Sequence, residues 1–394
     1  MLKRFLLAVA LLSASLLQVP AQVQAQSDTP PDDARRAERR AAAETVIRET
    51  LAVSRAMEFW QDARLALKQV YIPVFKDAIK GDIPATPAPD AKTAALMAKT
   101  LTAMDYASQA ADQLDAALND FMPDMIRDAA AILADTNTAE SLDAVRSLMQ
   151  QPAVRKSVDA LYSMSRILTG LSVEDARVLS EFSSWARALD LDVRDAMGGA
   201  PNPKAGPNLS RRLAKAQALM NDGLRITRLD ELTVEVFRFV REVYLPNAKT
   251  AEPERQEFTG QIDQMEFMYN FQKSIMLAAA PSMLAAILSD EEVAIIHTFV
   301  LSPTFARISD SFYNAAKSSL SISADELKAM TDAMADIDKR SALKAMTPAE
   351  KDALQKRWEE FGTTWEARLK SRIAPDVLSG LDASLKALQQ ETAN

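Results

Sequence analysis

From Ser289 to Tyr313 the apolar positions recur at three and four residues, which is the helical period and not the alternation of a strand. Val293, Ile296 and Val300 share one face, Ser289 with Glu292 makes a capping box, and Ser302-Pro303 ends that helix and starts another. The pattern predicts a helix-turn-helix hairpin. An echo runs from Thr138 to Tyr162 and on to Leu168, with Gln151-Pro152 at its turn and Leu142, Val145 and Met149 on the apolar face. The same period predicts two helices or one bent helix from Asp33 to about Ile79, interrupted at Pro73. Helix resumes from about Asp90 to Phe121, breaks or kinks at Pro123 and continues to Leu133. Another begins at Ser172, capped with Asp175, and reaches about Met197.

Two stretches cannot be helical. Gly81 to Pro89 and Gly198 to Asn208 carry prolines and glycines at a density that removes donors and pushes neighbours into extended conformations. The first reads as a surface loop and the second, 198-208, as a domain boundary. Beyond it helices are expected at about 209-226, 229-246, 254-280, 282-288, 290-301, 303-320 and from Ser323. Thr347-Pro348-Ala349-Glu350 opens a long helix with Leu354, Trp358, Phe361, Trp365 and Leu369 at helical spacing, and leucines 378, 381, 385 and 388 mark a last one after Pro375. The fold class is therefore all-α. Nine glycines in 394 residues agree with it.

The two hairpins align without a gap. Pro303 follows Pro152 by 151 residues (303 − 152), and Tyr313, Asp310 and Ser323 follow Tyr162, Asp159 and Ser172 by the same number. Val243-Tyr244-Leu245-Pro246 answers Val70-Tyr71-Ile72-Pro73 at 173 (244 − 71), so the first copy holds 22 more residues in between. Caps, turn prolines and core positions agreeing together predict tandem helical repeats, 26-197 and 209-340. Residues 341-394 are expected to pack on the second. The acidic helix start, spaced apolar residues, Ser-Pro and second amphipathic helix resemble the domain-of-unknown-function family numbered 2059, found in secreted bacterial proteins. That resemblance implies export and no particular activity.

Export is also legible at the N-terminus. Lys3 and Arg4, an apolar run from Phe5 to Leu17 and Val23-Gln24-Ala25 predict a signal peptide, 1-25, cleaved after Ala25, which places the mature protein in the periplasm or outside the cell. The run is too short to span a bilayer, and no later stretch reaches the roughly 20 apolar residues a transmembrane helix needs. The chain has no cysteine to carry a lipid or a disulfide. Removing Lys3 and Arg4 takes the formal charge from -8 to -10, an acidic balance that argues against nucleic acid or anionic membrane. Arg35, Arg36, Arg39 and Arg40 beside Asp32 and Asp33 read as a solvated first turn. A 48% hydrophobic content over this length supports two cores.

The chemistry on offer is sparse. There is no glycine-rich phosphate loop, Gly-x-Ser-x-Gly elbow, His-Glu-x-x-His helix or cysteine zinc pattern. The one histidine, His297, falls where the echo has Arg146, so the position accepts a cation at the edge of an apolar face. Asp120, Asp124 and Asp128 would align three carboxylates on an unbroken helix, but the expected break at Pro123 makes them a solvated face. Glu291 and Glu292 read as first-turn carboxylates that offset the helix dipole. Met122-x-x-Met125 and Met265-x-x-Met268 could offer thioethers to copper(I), and read as core packing. No catalytic, cofactor or metal residue is selected. What remains is a binding module acting on an envelope protein or an apolar ligand, with an unrecognised carboxylate enzyme or a structural, lipid-handling protein as alternatives. The candidate interaction surface is Trp358, Phe361 and Trp365, whose expected state is burial.

Overall fold

The computed structural model describes residues 33–81, 91–197, 208–247, 252–340 and 346–392. The expected signal peptide, most of the proline loop and all of the expected linker except Asn208 lie outside them. Among the described residues every regular element is a helix. In order these are α1 (Asp33–Ser54), α2 (Ala56–Ala66), a π turn (Leu67–Tyr71), α3 (Ile72–Lys80), α4 (Ala91–Thr136), α5 (Ala139–Met149), α6 (Pro152–Thr169) and α7 (Val173–Met197). Then follow α8 (Leu209–Thr227), α9 (Leu229–Phe239), a second π turn (Val240–Tyr244), α10 (Leu245–Asn247), α11 (Glu252–Ile287), α12 (Asp290–Val300), α13 (Pro303–Ser319), α14 (Ala324–Arg340), α15 (Pro348–Lys370) and α16 (Pro375–Thr392).

The caps read from the sequence form as written. Ser289 and Glu292 bond reciprocally at the start of α12, and Thr347 and Glu350 do so at the start of α15. One break falls where none was placed. The first helix ends at Arg55, in the left-handed region (φ 53°), whose guanidinium bonds Glu58 at 2.6 Å. Pro73 stands in the first turn of α3 just after the π turn, so the α-helical run is interrupted there as expected, though the chain stays helical throughout. By contrast α4 runs unbroken through Pro123, and α11 through Pro281. An interior proline costs a helix about 3 kcal/mol. At Pro123 the flanking Met122, Met125 and Ile126 all pack into cores, which offsets that cost.

The helices gather into two compact units. One comprises the described parts of Met1–Lys68, Ala95–Val158 and Asp325–Asn394, the other Gln69–Ala94 and Asp159–Ala324. The core of the first is built from Val46 and Ile47 of α1, Ile126, Ala130 and Leu133 of α4, Leu142, Val145 and Met149 of α5, and Ile337 of α14. The core of the second joins Leu219 of α8 to Leu288 and to Val293 and Val300 of α12, with Leu189 of α7 and Phe305 of α13 against them. Hence these units do not follow the expected boundaries 26-197 and 209-340. The start of α7 belongs with the later helices, and α14 with the earlier ones.

Each interchanged helix is also tied to its unit by a carboxylate near its start. In the second unit the Asp175 carboxylate, at the start of α7, accepts from Thr304 Oγ1 at 2.8 Å and is ion-paired to Arg307, both on α13. In the first, Glu326 at the start of α14 accepts from Lys156 Nζ of α6 at 2.7 Å. Burial alone would raise the pKa of Asp175, but bonds from the Ser172 hydroxyl and N–H, Thr304 and Arg307 lower it to about 2.

Element bounds in the later part of the chain follow the earlier ones at fixed distances. Helices α12, α13 and α14 begin 151 residues after α5, α6 and α7 (290 − 139, 303 − 152, 324 − 173). The left-handed Arg228 (φ 52°) and the second π turn follow Arg55 and the first by 173 (228 − 55, 240 − 67). Glu326 and Arg307 likewise stand 151 residues beyond Asp175 and Lys156.

Candidate functional site

Helix α11 is attached along one side only. Asp263 and Glu266 both pair with Arg241 of the second π turn, Lys273 reaches Asp230 of α9 at 2.7 Å, and the Tyr269 hydroxyl accepts from Thr233 at 3.2 Å. At 3.6 residues per turn these residues form one stripe. The rest of the circumference is bare and, from Met265 on, mostly apolar, broken by the exposed Gln272 and Ser282. Met265, Phe267, Met268, Phe271, Ile275, Met276 and Met283 are all exposed, Phe267 at 67% and Met276 at 62%. From Phe267 to Ile287 the only charged residue is Lys273, which lies on the attached side. The face extends about 27 Å from Met265 to Met283. Such a run of large apolar side chains marks an interaction site more often than a plain surface.

Helix α4 of the other unit is attached in the same manner. Asp112 bonds Arg64 at 2.6 Å and Lys68 at 2.7 Å, and Asp115 pairs with Arg64 and accepts from Trp60 Nε1 at 3.1 Å. The Lys68 bond, ahead of Arg64, holds the Asp112 carboxyl below the usual range. Asp263 and Glu266 stand 151 residues beyond Asp112 and Asp115 (263 − 112, 266 − 115), and Arg241 stands 173 beyond Lys68 (241 − 68). The opposite side of α4, however, is covered. Leu114, Ala117, Leu118 and Met125 pack against Trp365 and Leu369 of α15, and Phe121 meets the Trp365 ring at 5.8 Å between centroids. Ala110 and Tyr106 pack against Ile373, Val377 and Leu381.

Two polar contacts fix the direction of that cover. Asp135, near the end of α4, bonds Arg357 of α15 at 3.0 Å, and the Ala374 N–H of the α15–α16 turn donates to Gln113 at 2.7 Å. So α15 lies antiparallel to α4. Position by position, 151 residues on, Gln113 becomes Gln264, Leu114 becomes Met265, Ala117 becomes Met268 and Met125 becomes Met276. All four of the later residues are exposed.

The residues singled out by sequence are placed as follows. Trp365 is 1% exposed, a core residue, while Trp358 and Phe361 are partly buried against the Ile337 core. The partner of the buried Trp365 differs from the one expected. Trp365 and Leu369 close on α4 and not on residues 209-340, because the apolar side of α4 is the surface they complete. Met122 and Met125 are core residues, whereas Met265 and Met268 lie on the bare face, contrary to the packing expected of them. Helical register across Pro123 is intact, and Asp124 pairs with Arg127 at 2.6 Å. Glu292 serves the α12 cap. His297 Nε2 lies 2.9 Å from Asp222, and the pair 151 and 173 residues earlier is Arg146 with Glu49 at 2.8 Å. Among the described residues no group of three or more His, Asp or Glu is arranged to hold a metal ion, and no helix is long and apolar enough to cross a membrane.

No family model, curated protein or solved structure matches this chain. The bare face of α11 is signalled by the run from Phe267 to Ile287, in which Lys273 is the one charge. Sequence alone could not separate that signal from a helix buried on all sides.

Proposed function

We propose that this is an exported binding module of the bacterial envelope, made of two copies of one helical unit of the kind that the Ser289–Tyr313 pattern resembles, and that it works by presenting the bare face of α11 to a partner. The observation that carries the reading is the contrast between two helices of like attachment. The apolar side of α4 is covered by α15 and α16, and the corresponding side of α11 is uncovered. The signal-like segment at residues 1–25 supports export. Helix bounds and ion pairs that recur at 151 and 173 residues support the duplication.

The reading is tested on the mature full-length chain with the photo-crosslinking dye bis-ANS. Labelling should map by mass spectrometry to peptides of α11 and fall when Met268 or Ile275 is replaced by Glu, with the melting temperature unchanged within about 2 °C, as for exposed sites. A large loss of melting temperature on either substitution, or labelling elsewhere, would show that this face is core and end the reading.

A further inference from the structure

Resting on that reading, we infer that the partner of the α11 face is a second copy of this chain, seated antiparallel along α11 about a two-fold axis at the level of Lys273. The line directly opposite the attached stripe is Gln264, Met268, Phe271, Ile275, Ala278 and Ser282, all exposed. Their spacing alternates between four and three residues, which is the seam spacing of paired helices. Set against itself head to tail, this line matches. Positions equally far before and after Lys273 face one another, so Phe271 meets Ile275 of the second copy, Met268 meets Ala278 and Gln264 meets Ser282. Each apolar residue thus faces an apolar one, the long Met268 faces a small alanine, and the two polar ends face each other. No charge enters the seam, because Lys273 is turned to Asp230 on the attached side.

Helix α4 shows what excludes such pairing. The same line 151 residues earlier (264 − 113) reads Gln113, Ala117, Asp120, Asp124, Arg127 and Ala131. Asp120 and Arg127 are exposed, and Asp124 pairs with Arg127 at 2.6 Å. Pairing α4 head to tail in the same register would set Asp120 against Asp124, like charge against like. In place of Asp120, Asp124 and Arg127, α11 has Phe271, Ile275 and Ala278, so the charge-free line is particular to α11. Its area is adequate for a dimer. Met265, Phe267, Met268, Phe271, Ile275 and Met276 lie on or beside the line and are 41–67% exposed, at about 100 Å² each. Two copies would bury about 1,200 Å² of these side chains alone, the lower end of the roughly 1,200–2,000 Å² of specific interfaces, and an area of that size fits a reversible dimer. A membrane surface is disfavoured, since an interfacial helix flanks its apolar face with Lys and Arg, and after Arg255 the one cation of α11 is Lys273 on the attached side.

The test is sedimentation velocity of the mature full-length chain from nanomolar to high micromolar concentration. The wild type should pass from monomer to dimer, and dimerisation should be roughly tenfold or more weaker in Ile275→Glu, which sets a carboxylate against Phe271 twice in each pair. Register is read separately by crosslinking. The chain has no cysteine, so Gln272→Cys supplies a single thiol beside the axis and should give an intermolecular disulfide on mild oxidation. Gln261→Cys should not, because antiparallel seating holds the two copies of that position about 36 Å apart along the helices. A wild type that stays monomeric throughout, a dimer that Ile275→Glu leaves unchanged, or Gln272→Cys crosslinking no more readily than Gln261→Cys would overturn the inference. So would flotation with phosphatidylglycerol vesicles that Ile275→Glu abolishes. In each of those cases bis-ANS labelling of α11, carried out on the chain at nanomolar concentration, separates the two failures. Labelling retained leaves the bare-face reading standing with a different occupant, and labelling lost removes both.

Discussion

Helices α4 and α11 are tied along one side by the same kind of carboxylate stripe, Asp112 and Asp115 in the first and Asp263 and Glu266 in the second. Their other sides differ. That of α4 holds Leu114, Ala117 and Met125 under Trp365 and Leu369, whereas that of α11 leaves Met265, Met268 and Met276 uncovered. An apolar stripe is thus a demand for a partner, and the chain answers it once with its own C-terminal hairpin. Residues differ accordingly. The covered helix has Ala117 packed against α15, and the bare one has the larger Met268 at the corresponding place.

The largest expected effect breaks the covered side. Trp365→Ala in the full-length chain should cost about 3–5 kcal/mol in chemical denaturation, because its ring is enclosed and the cavity cannot collapse. Met268→Ala on the bare side should stay within about 0.5 kcal/mol. Equal losses would abolish the distinction. A fragment beginning at residue 209 is unsuited to this measurement, since α15 would lose the α4 surface it closes on.

Next in size is the interchange of helices. Asp175→Ala should cost about 2–3 kcal/mol, the range for hydrogen bonds to a charged group, whereas the half-exposed Lys156–Glu326 pair should cost under about 1 kcal/mol on Glu326→Ala. The acid dependence has a definite sign. Because the Asp175 pKa is lowered in the folded state, its contribution is complete above the ordinary aspartate pKa and is lost as pH falls toward about 2. Denaturant midpoints across this acid range should fall less in Asp175→Ala than in the wild type, and parallel curves would show that the group is uncoupled from folding.

Glycines sharpen the comparison further. A Cβ at Gly380 of α16 would come within 2.3 Å of the Tyr106 ring of α4, so Gly380→Ala should destabilise by about 1–3 kcal/mol through overpacking. At Gly260 of α11 nothing lies within 4 Å, and Gly260→Ala should stabilise by up to about 1 kcal/mol, the helix propensity of alanine over glycine. Opposite signs in thermal unfolding are the expected result; a loss at Gly260 would mean that α11 is covered there. The smallest effect is expected at His297→Arg, which should change the midpoint by less than about 0.5 kcal/mol, since Asp222 can pair with arginine as Glu49 does with Arg146.

Much of the local structure was legible because its causes are local. Reciprocal caps at Ser289 and Thr347, the Ser-Pro start of α13 and the apolar face of α5 each need only a few neighbouring residues, and each reads the same in sequence and in structure. Left-handed Arg55 and Arg228 escaped because arginine carries no signal for that conformation, and each is held there by a carboxylate three residues on. Prolines 123 and 281 were over-read, since packing on both sides of Pro123 outweighs one missing donor and Pro281 is itself buried.

The sequence by itself determined that this chain is helical, where most helices start and stop, and that it has more apolar helical surface than a hairpin needs. Only the tertiary structure decided which stripes are satisfied. It sent Trp365 to α4 and α14 to the first unit, and it left α11 uncovered, because a period of 3.6 specifies that a face is apolar without specifying what it meets.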